Sequence, residues 1–397
     1  MNLSELEKAL LPYEKKLQAQ ERLRRFLGVR QVDRPTYEKY ITGPIERFDR
    51  RKTAFMSLMP DNPFSEEFRK RFKAKTGHDH WRDRLPYSEL ELEDRIGQSL
   101  AAGSWRPCNE YLPEPLPVTP SEGRVEVTDK AWMTRLIKKV ALLFGAEMVG
   151  ITELDQRWVY QDIEIPHKYA IVSVVSHVRS LNNTAPSYFS WVSTTEAYSR
   201  LKFIATQLTD FIRGLGYDAM YRETLGWNPE ILMVPLAMDA GIGEFSRKGR
   251  VLSPEFGTNM RLKAVTTDLP LQVDKPISFG VHEFCMVCEN CATYCPAKAN
   301  PFGPPTDVAP AIHNNPGFRK WYVNAERCLT FWAVNKKKWL SCGGRCISVC
   351  PWNKPLVPFH NMVRWAAIHS PTAVKKVLVR SDNLLYHRKK RTFEFTH

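Results

Sequence analysis

At 397 residues, 43% hydrophobic and 25% charged, the chain is long enough for two or three domains, or for one large core with a small satellite. Its formal charge of +14 favours anionic partners, whether nucleic acid, an acidic electron-donor protein or an anionic cofactor, but the basic residues are scattered and form no tract beside aromatic pairs. No run of about 18 apolar residues occurs, so no helix is expected to cross a membrane, and the polar opening MNLSELEKALLPYEKK lacks an apolar signal region, so the expected location is cytoplasmic.

Residues 1–120 read as a polar, helical wrapping region that ends in the proline-rich YLPEPLPVTPSEGR. Arg24-Arg25 in RLRRFLG resembles a twin-arginine export signal, but the charged VRQVDRPTYEKY follows it, and an ordinary surface helix is expected. Residues 121–275 read as one α/β domain. TDKAWMTRLIKKVALLFG carries a helical stripe at Trp132, Leu136, Val140 and Leu143 and stops at Gly145. AEMVGITEL and YAIVSVVSHV read as buried strands. A long helix follows, with Ser193 as its cap and Glu196 as the capping-box partner; Ala197, Leu201, Ile204, Leu208 and Phe211 form its inner stripe, and Gly214 ends it. EILMVPLAMDAGIGEFSRKGR reads as a strand running into a glycine-containing loop. The cysteines occupy 276–360, and 361–397 reads as a C-terminal tail.

Of nine cysteines, eight lie between Cys285 and Cys350. Cys285, Cys288, Cys291 and Cys295 stand in C-x2-C-x2-C-x3-C-P, the pattern of bacterial two-cluster ferredoxins, in which three thiolates wrap one iron–sulfur cubane and the fourth crosses to another. Cys328, Cys342, Cys346 and Cys350-Pro351 supply the complement. This assigns one 4Fe–4S cluster to Cys285, Cys288, Cys291 and Cys350, and a second to Cys295, Cys328, Cys342 and Cys346. Zinc is the competing use of four cysteines, but it favours two separated C-x2-C knuckles. Cys108 stands alone and reads as a buried bystander. Two clusters make a wire, and the 121–275 domain is left to hold its terminus. No G-x-G-x-x-G follows a strand there; AGIGE at 240–244 is too short for a dinucleotide site.

Three strings carry the reading further. VPLAMDAGIGEFSRKGRVLSPEFGTNMRLKAVTTDLPLQVDKPISFGVHEFC at 234–285, RCISVCPWNKP at 345–355 and YITGPIERFDRRKTAFM at 40–56 closely resemble segments of corrinoid-dependent reductive dehalogenases, a match over about residues 36 to 370. The resemblance implies an α+β protein in which a nitroreductase-like α/β core binds cobalamin base-off and a C-terminal bacterial ferredoxin-like domain carries the two clusters. It implies removal of halide from an organohalide. It places a proton-donating tyrosine at Tyr198 in TTEAYSRLKF, an assisting arginine at Arg261 in FGTNMRLKAV and an assisting amide at Asn228 in GWNPEILMVPL, and it assigns Gly241, Gly243 and Arg247 to the corrinoid. A carbon–halogen bond cleaved by reduction needs a proton, and a guanidinium beside a phenol helps the proton leave.

The chain departs from the family in three ways. No export signal and no fused flavin module are expected, so electrons are expected from a separate ferredoxin- or flavodoxin-type donor. The gap Cys342-Gly-Gly-Arg-Cys346 is one residue longer than usual. Trp191, Trp227 and Trp332 are candidates to line an aromatic pocket. Two other readings compete: an epoxyqueuosine-reductase-like corrinoid enzyme acting on tRNA, and a non-catalytic electron-transfer protein. Membrane and nucleic-acid partners are not expected.

Overall fold

The computed structural model describes residues 3–64, 66–77, 79, 92–106, 120–121, 123–224, 228–334 and 344–386. The proline-rich stretch before 120, Cys108, Trp227 and Cys342 therefore lie outside the described residues.

In chain order the elements begin with helices α1 (Leu3–Ala9) and α2 (Leu11–Leu27), strand β1 (Arg30–Gln31), and helices α3 (Glu66–Thr76), α4 (Leu92–Arg106) and α5 (Lys130–Leu143). Strands β2 (Met148–Glu153) and β3 (Tyr169–Ser176) follow, then helices α6 (Arg179–Asn182) and α7 (Tyr188–Gly214), strand β4 (Ala219–Tyr221) and helix α8 (Met233–Asp239). Next come the short β5 (Glu244–Phe245) and β6 (Val251–Leu252), the long β7 (Met260–Thr267) and β8 (Ile277–Ser278). Helices α9 (Val281–Val287), α10 (Asn290–Thr293), α11 (Ala325–Val334), α12 (Arg345–Ser348), α13 (Pro358–His369) and α14 (Thr372–Tyr386) complete the chain.

The centre is an antiparallel four-stranded sheet in the order β2-β3-β7-β4. Both faces are covered, which is why β3 reads as a near-continuous apolar run, broken only by Ser173 before its last residue, rather than as an alternation. Ile171 and Val175 of β3 and Val265 of β7 face α5 and α7. Ala170, Val172 and Val174, with Ala264 of β7, face α8 and the aromatic cluster of Tyr37, Trp158 and Phe318. The mixed helix-and-sheet content agrees with the expected α+β class.

Several local expectations are corrected. Ser187, not Ser193, caps α7, in a capping box with Ser190; Ser193 is buried inside the helix and donates to Val178 O at 3.2 Å. The α7 stripe holds at Ala197, Leu201, Ile204 and Leu208. On α5 the buried face is Met133, Leu136, Ile137, Val140 and Ala141, while Leu143 is exposed. Residues 233–239, expected as strand, are helical: Pro235 falls in the first turn, where a missing N–H costs nothing, whereas in a central strand it would remove a ladder bond. Reading the sequence assigns no strand to 219–221 or 260–267, yet β7 is a central strand. Residues 361–386, expected as tail, are helical, and α13 and α14 pack on α2 and on the cysteine-bearing α9. Helix α2 is largely exposed, as a surface helix should be, but Arg24 on it is only partly exposed: its guanidinium bonds Glu255 at 2.6 Å and Gly241 O at 3.0 Å, fixing α2 to the core. No described helix is long and apolar enough to cross a membrane.

Candidate functional site

Three neighbouring places carry chemistry. The first is a small pocket lined by Cys285, Cys288, Cys291 and Cys350, together with Arg247, Lys248 and Trp352. Local structure delivers each sulfur. Gly280, in the left-handed region at φ 78°, starts α9, whose last turn carries Cys285; Cys288 sits at the extended break after it, Cys291 on α10 and Cys350 just before the turn at Pro351. Glu244 accepts from the N–H groups of Phe279 and Val281 at 2.7 and 3.2 Å, satisfying donors at the start of α9. Burial pushes the Cys285 thiol up to about 11 and raises Cys288 and Cys291 further, with the other cysteines of the pocket adding to the effect. Among the described residues no three His, Cys, Asp or Glu side chains converge on one metal-ion position. What these four share is a pocket.

Of the second expected set, Cys295 is buried and its Sγ accepts from Ala299 N–H at 3.3 Å. Asn324 N–H donates to Ala299 O at 2.9 Å and Cys328 N–H to Asn324 O at 3.2 Å, which ties the Cys295 and Cys328 segments together. Cys346 lies within electrostatic reach of both Cys291 and Arg261.

The second place is a cavity of about 560 Å³ beside that pocket. Its walls include Tyr37, Trp158, Met238, Phe318 and Trp321, and Lys248-Gly249-Arg250 separate it from the cysteines. His282 stacks on Tyr40 at 4.6 Å and lies 4.9 Å from Trp321. Lys320, whose ammonium burial pushes down to about 8, also lines it. The cavity's tryptophans are thus Trp158 and Trp321; Trp332 packs instead on Phe55 at 5.4 Å, beneath α3. The N-terminal string at 40–56 and residues 313–325 build one wall, so the wrapping region is part of the site.

The third place is the pair Tyr198 and Arg261. Tyr198 projects from α7 and Arg261 from β7, and the guanidinium carbon lies 5.1 Å from the phenol ring centroid. Trp105 of α4 closes the other side, edge-on at 6.0 Å. Burial drags the Arg261 guanidinium down to about 10, the neighbouring Tyr198 opposing the shift. Its Nε is buried with no hydrogen-bond partner. Arg250, on the cavity wall, acts electrostatically on Arg261 and so links the second place to the third.

The structure does not bring Asn228 to this pair: Asn228 is exposed and its Oδ1 accepts from Arg50 at 2.5 Å. Gly241, Gly243 and Arg247 have structural work of their own. A Cβ on Gly241 would meet Lys275 O at 2.5 Å, and one on Gly243 would meet Leu252 O at 2.1 Å. Arg247, 1% exposed, donates to Cys285 O at 3.1 and 2.7 Å, to Pro301 O at 3.1 Å and to Gly303 O at 2.7 Å, while stacking on Trp321 at 4.8 Å. It holds the frame of the cysteine pocket. Reading the sequence missed His177, 3% exposed and under the influence of both Arg261 and Arg250. The available signal was a lone histidine just after a mostly apolar strand.

No protein-family model matches the chain. The tetrachloroethene reductive dehalogenase of Sulfurospirillum multivorans is 31% identical over 307 residues, 68% of this chain and 60% of that protein. A solved catabolic reductive dehalogenase in complex with 3-bromo-4-hydroxybenzoic acid is 26% identical, with a TM-score of 0.69 over 90% of this chain and 48% of that one. A further solved reductive dehalogenase, described as suggesting a mechanism for B12-dependent dehalogenation, is 25% identical, with a TM-score of 0.68 over 91% of this chain and 49% of that one. The chain thus spans between half and three-fifths of the length of these relatives.

Proposed function

Because the chain belongs to the reductive dehalogenase family, we propose that it removes halide from an organohalide with a corrinoid in the 560 Å³ cavity and two 4Fe–4S clusters on its cysteines. The observation that carries this reading is the Tyr198–Arg261 pair, coupled electrostatically through Arg250 to an aromatic cavity that shares Lys248 with the four-cysteine pocket. The residues present suit each group. Three buried thiols and a partly buried fourth, sharing a pocket without converging on one ion, fit a polynuclear cluster better than a single zinc. The cavity falls in the range of about 300–1,000 Å³ typical of ligand sites, with apolar walls and a few polar groups. It is read here as the nitroreductase-like corrinoid site, and the cysteine segment as the ferredoxin-like part.

When bound, the corrinoid would supply the reducing metal centre and the clusters its electrons, from a separate donor protein. The chain supplies the proton and the setting. The Tyr198 hydroxyl donates a proton to the carbon that loses halide. Arg261, on which Tyr198 is the largest charge influence, balances the negative charge left on the phenol oxygen. Trp105, Trp158 and Trp321 restrict water. Gly241 and Gly243 let the chain leading to the cavity residues Glu244 and Phe245 run close to Lys275 O and Leu252 O, and Arg247 holds the cysteine pocket; all three contribute to cofactor binding indirectly. Asn228 takes no part in the proton transfer.

Replacing Tyr198→Phe in anaerobically purified protein is expected to lower turnover about 10²–10⁴-fold, the range for loss of a general acid, with iron and cobalt per chain unchanged. Full activity in that variant would sink the proton-donor assignment, and purification with iron but no cobalt would sink the corrinoid one.

A further inference from the structure

The sheet face that carries Arg261 carries another polar side chain that the proton transfer does not use. Val175 of β3 pairs with Arg261 of β7, and the His177 N–H donates to Asn259 O at 2.9 Å, which extends the register by two residues. Side chains two apart on a strand share a face, so His177 points the same way as Val175 and Arg261, towards α7.

The hydrogen bonds around His177 fix its tautomer. Asn259 Nδ2 donates to His177 O at 3.0 Å, and a carbonyl can only accept, so the Asn259 amide is oriented and its Oδ1 is an acceptor. Asn182 must then present its NH2 to that oxygen, at 2.6 Å. The same NH2 lies 3.0 Å from His177 Nδ1, so Nδ1 accepts. The one proton of the neutral ring is therefore on Nε2. Burial and the charges of Arg261 and Arg250 hold the ring well away from protonation.

His177 Nε2 is a donor, it is buried, and it has no hydrogen-bond partner; the same holds for Arg261 Nε. Buried donors are nearly always matched, so two on one face beside a second guanidinium mark a place from which an acceptor is missing. We propose that His177 Nε2–H and Arg261 Nε–H form a seat for a small monovalent anion, and that its occupant is the halide released from the substrate. The inference rests on the dehalogenation proposed above. That reaction consumes an organohalide, a proton and two electrons and yields the carbon–hydrogen product and a halide ion: the carbon–halogen bond breaks, the proton comes from Tyr198, the electrons come from the donor protein, and the halogen leaves as the anion. Among the described residues, the largest electrostatic influences on Arg261 are Tyr198, Arg250 and Cys346, none of them a carboxylate. A carboxylate borne by an acidic substrate has similar chemistry and is the alternative source of the anion.

The test uses holoprotein with bromide as the probe, because bromide binding can be read without turnover. Crystals soaked in sodium bromide should show an anomalous peak within hydrogen-bond distance of both His177 Nε2 and Arg261 Nε. In solution, His177→Phe should weaken bromide binding by about tenfold, the scale of one lost hydrogen bond to an ion, while His177→Gln, which keeps a donor at that point, should restore most of it. A parallel titration with benzoate separates the sources: benzoate bound there with bromide excluded overturns the halide assignment. No bromide density at the seat, or unchanged affinity in His177→Phe, overturns the seat while leaving the dehalogenase reading standing. Bromide bound as described in a protein that turns over no organohalide keeps the seat and removes that reading. Should His177→Phe fail to fold, the wild-type crystal and His177→Gln decide the matter.

Discussion

In the four-stranded sheet the backbone closes its own hydrogen bonds: eight register pairs join β3 to β7, and every residue from Tyr169 to Val175 is buried. Among the described residues the cysteine segment has no such ladder. Short helices and turns leave its carbonyls open, and charged side chains buried to nearly the same depth as the sheet's valines fill them. Arg247 takes carbonyls of Cys285, Pro301 and Gly303, Lys248 takes Cys346 O at 2.8 Å, and Asn353 bridges Ile347 O at 2.6 Å and Thr258 N–H at 2.7 Å. Arg364, 3% exposed and pushed down to about 10 by burial, spans Trp352 O, Lys354 O and Pro355 O. Regular structure satisfies its polar groups locally. Irregular structure must borrow donors from elsewhere in the chain, and each borrowed donor becomes a single point of failure.

The largest effect is expected at Arg247. Arg247→Met fills the volume but strips donors from the Cys285, Pro301 and Gly303 carbonyls, and should cost on the order of 3–5 kcal/mol. It should also expose the pocket locally. In urea unfolding the midpoint falls, and in native buffer the apoprotein's thiols react faster with a thiol reagent. Thiols as slow as wild type would show that Arg247 is not the clamp described.

Ile171→Ala in the sheet should cost about 2–5 kcal/mol by cavity formation, yet leave native thiol reactivity unchanged, because the lost contacts face α5 and α7 and not the cysteines. If the two variants expose thiols equally, the regions are one cooperative unit and the contrast between them fails.

The smallest effect comes from a third region, where the N-terminal string meets the core. Asp239 accepts from Tyr37 Oη and Trp158 Nε1, each at 2.7 Å, and burial raises its carboxyl from 3.8 to about 6. A carboxyl raised on folding contributes stability that is present below its unfolded pKa and lost as pH climbs through the folded one. Wild type should therefore gain stability relative to Asp239→Asn as pH falls from about 7 to about 5, measured as the difference in urea midpoints. A difference that is flat across that window would mean Asp239 is ionised in the fold at no cost.

What the sequence by itself determined was whatever depends on neighbours in the chain. The spacing of Cys285, Cys288 and Cys291 is local, and so is the apolar run of β3 and the 3.6-residue stripe of α7. The strings flanking the cysteines carried the family. What it misjudged was local structure decided from afar. Residues 260–264 alternate charge with apolar side chains, as an exposed strand would. The tertiary structure instead turns Arg261 and Lys263 inward, where Lys263 pairs with Glu223 at 3.3 Å and Arg261 meets Tyr198. The ferredoxin-type pattern already grouped Cys350 with Cys285, Cys288 and Cys291, and the pocket agrees, but only the fold could bring Tyr37 and Phe318 to one cavity wall or leave His177 beside Arg261 with a donor to spare. Those meetings depend on long-range register between strands and helices, set by the burial of whole faces and recorded in no single stretch of residues.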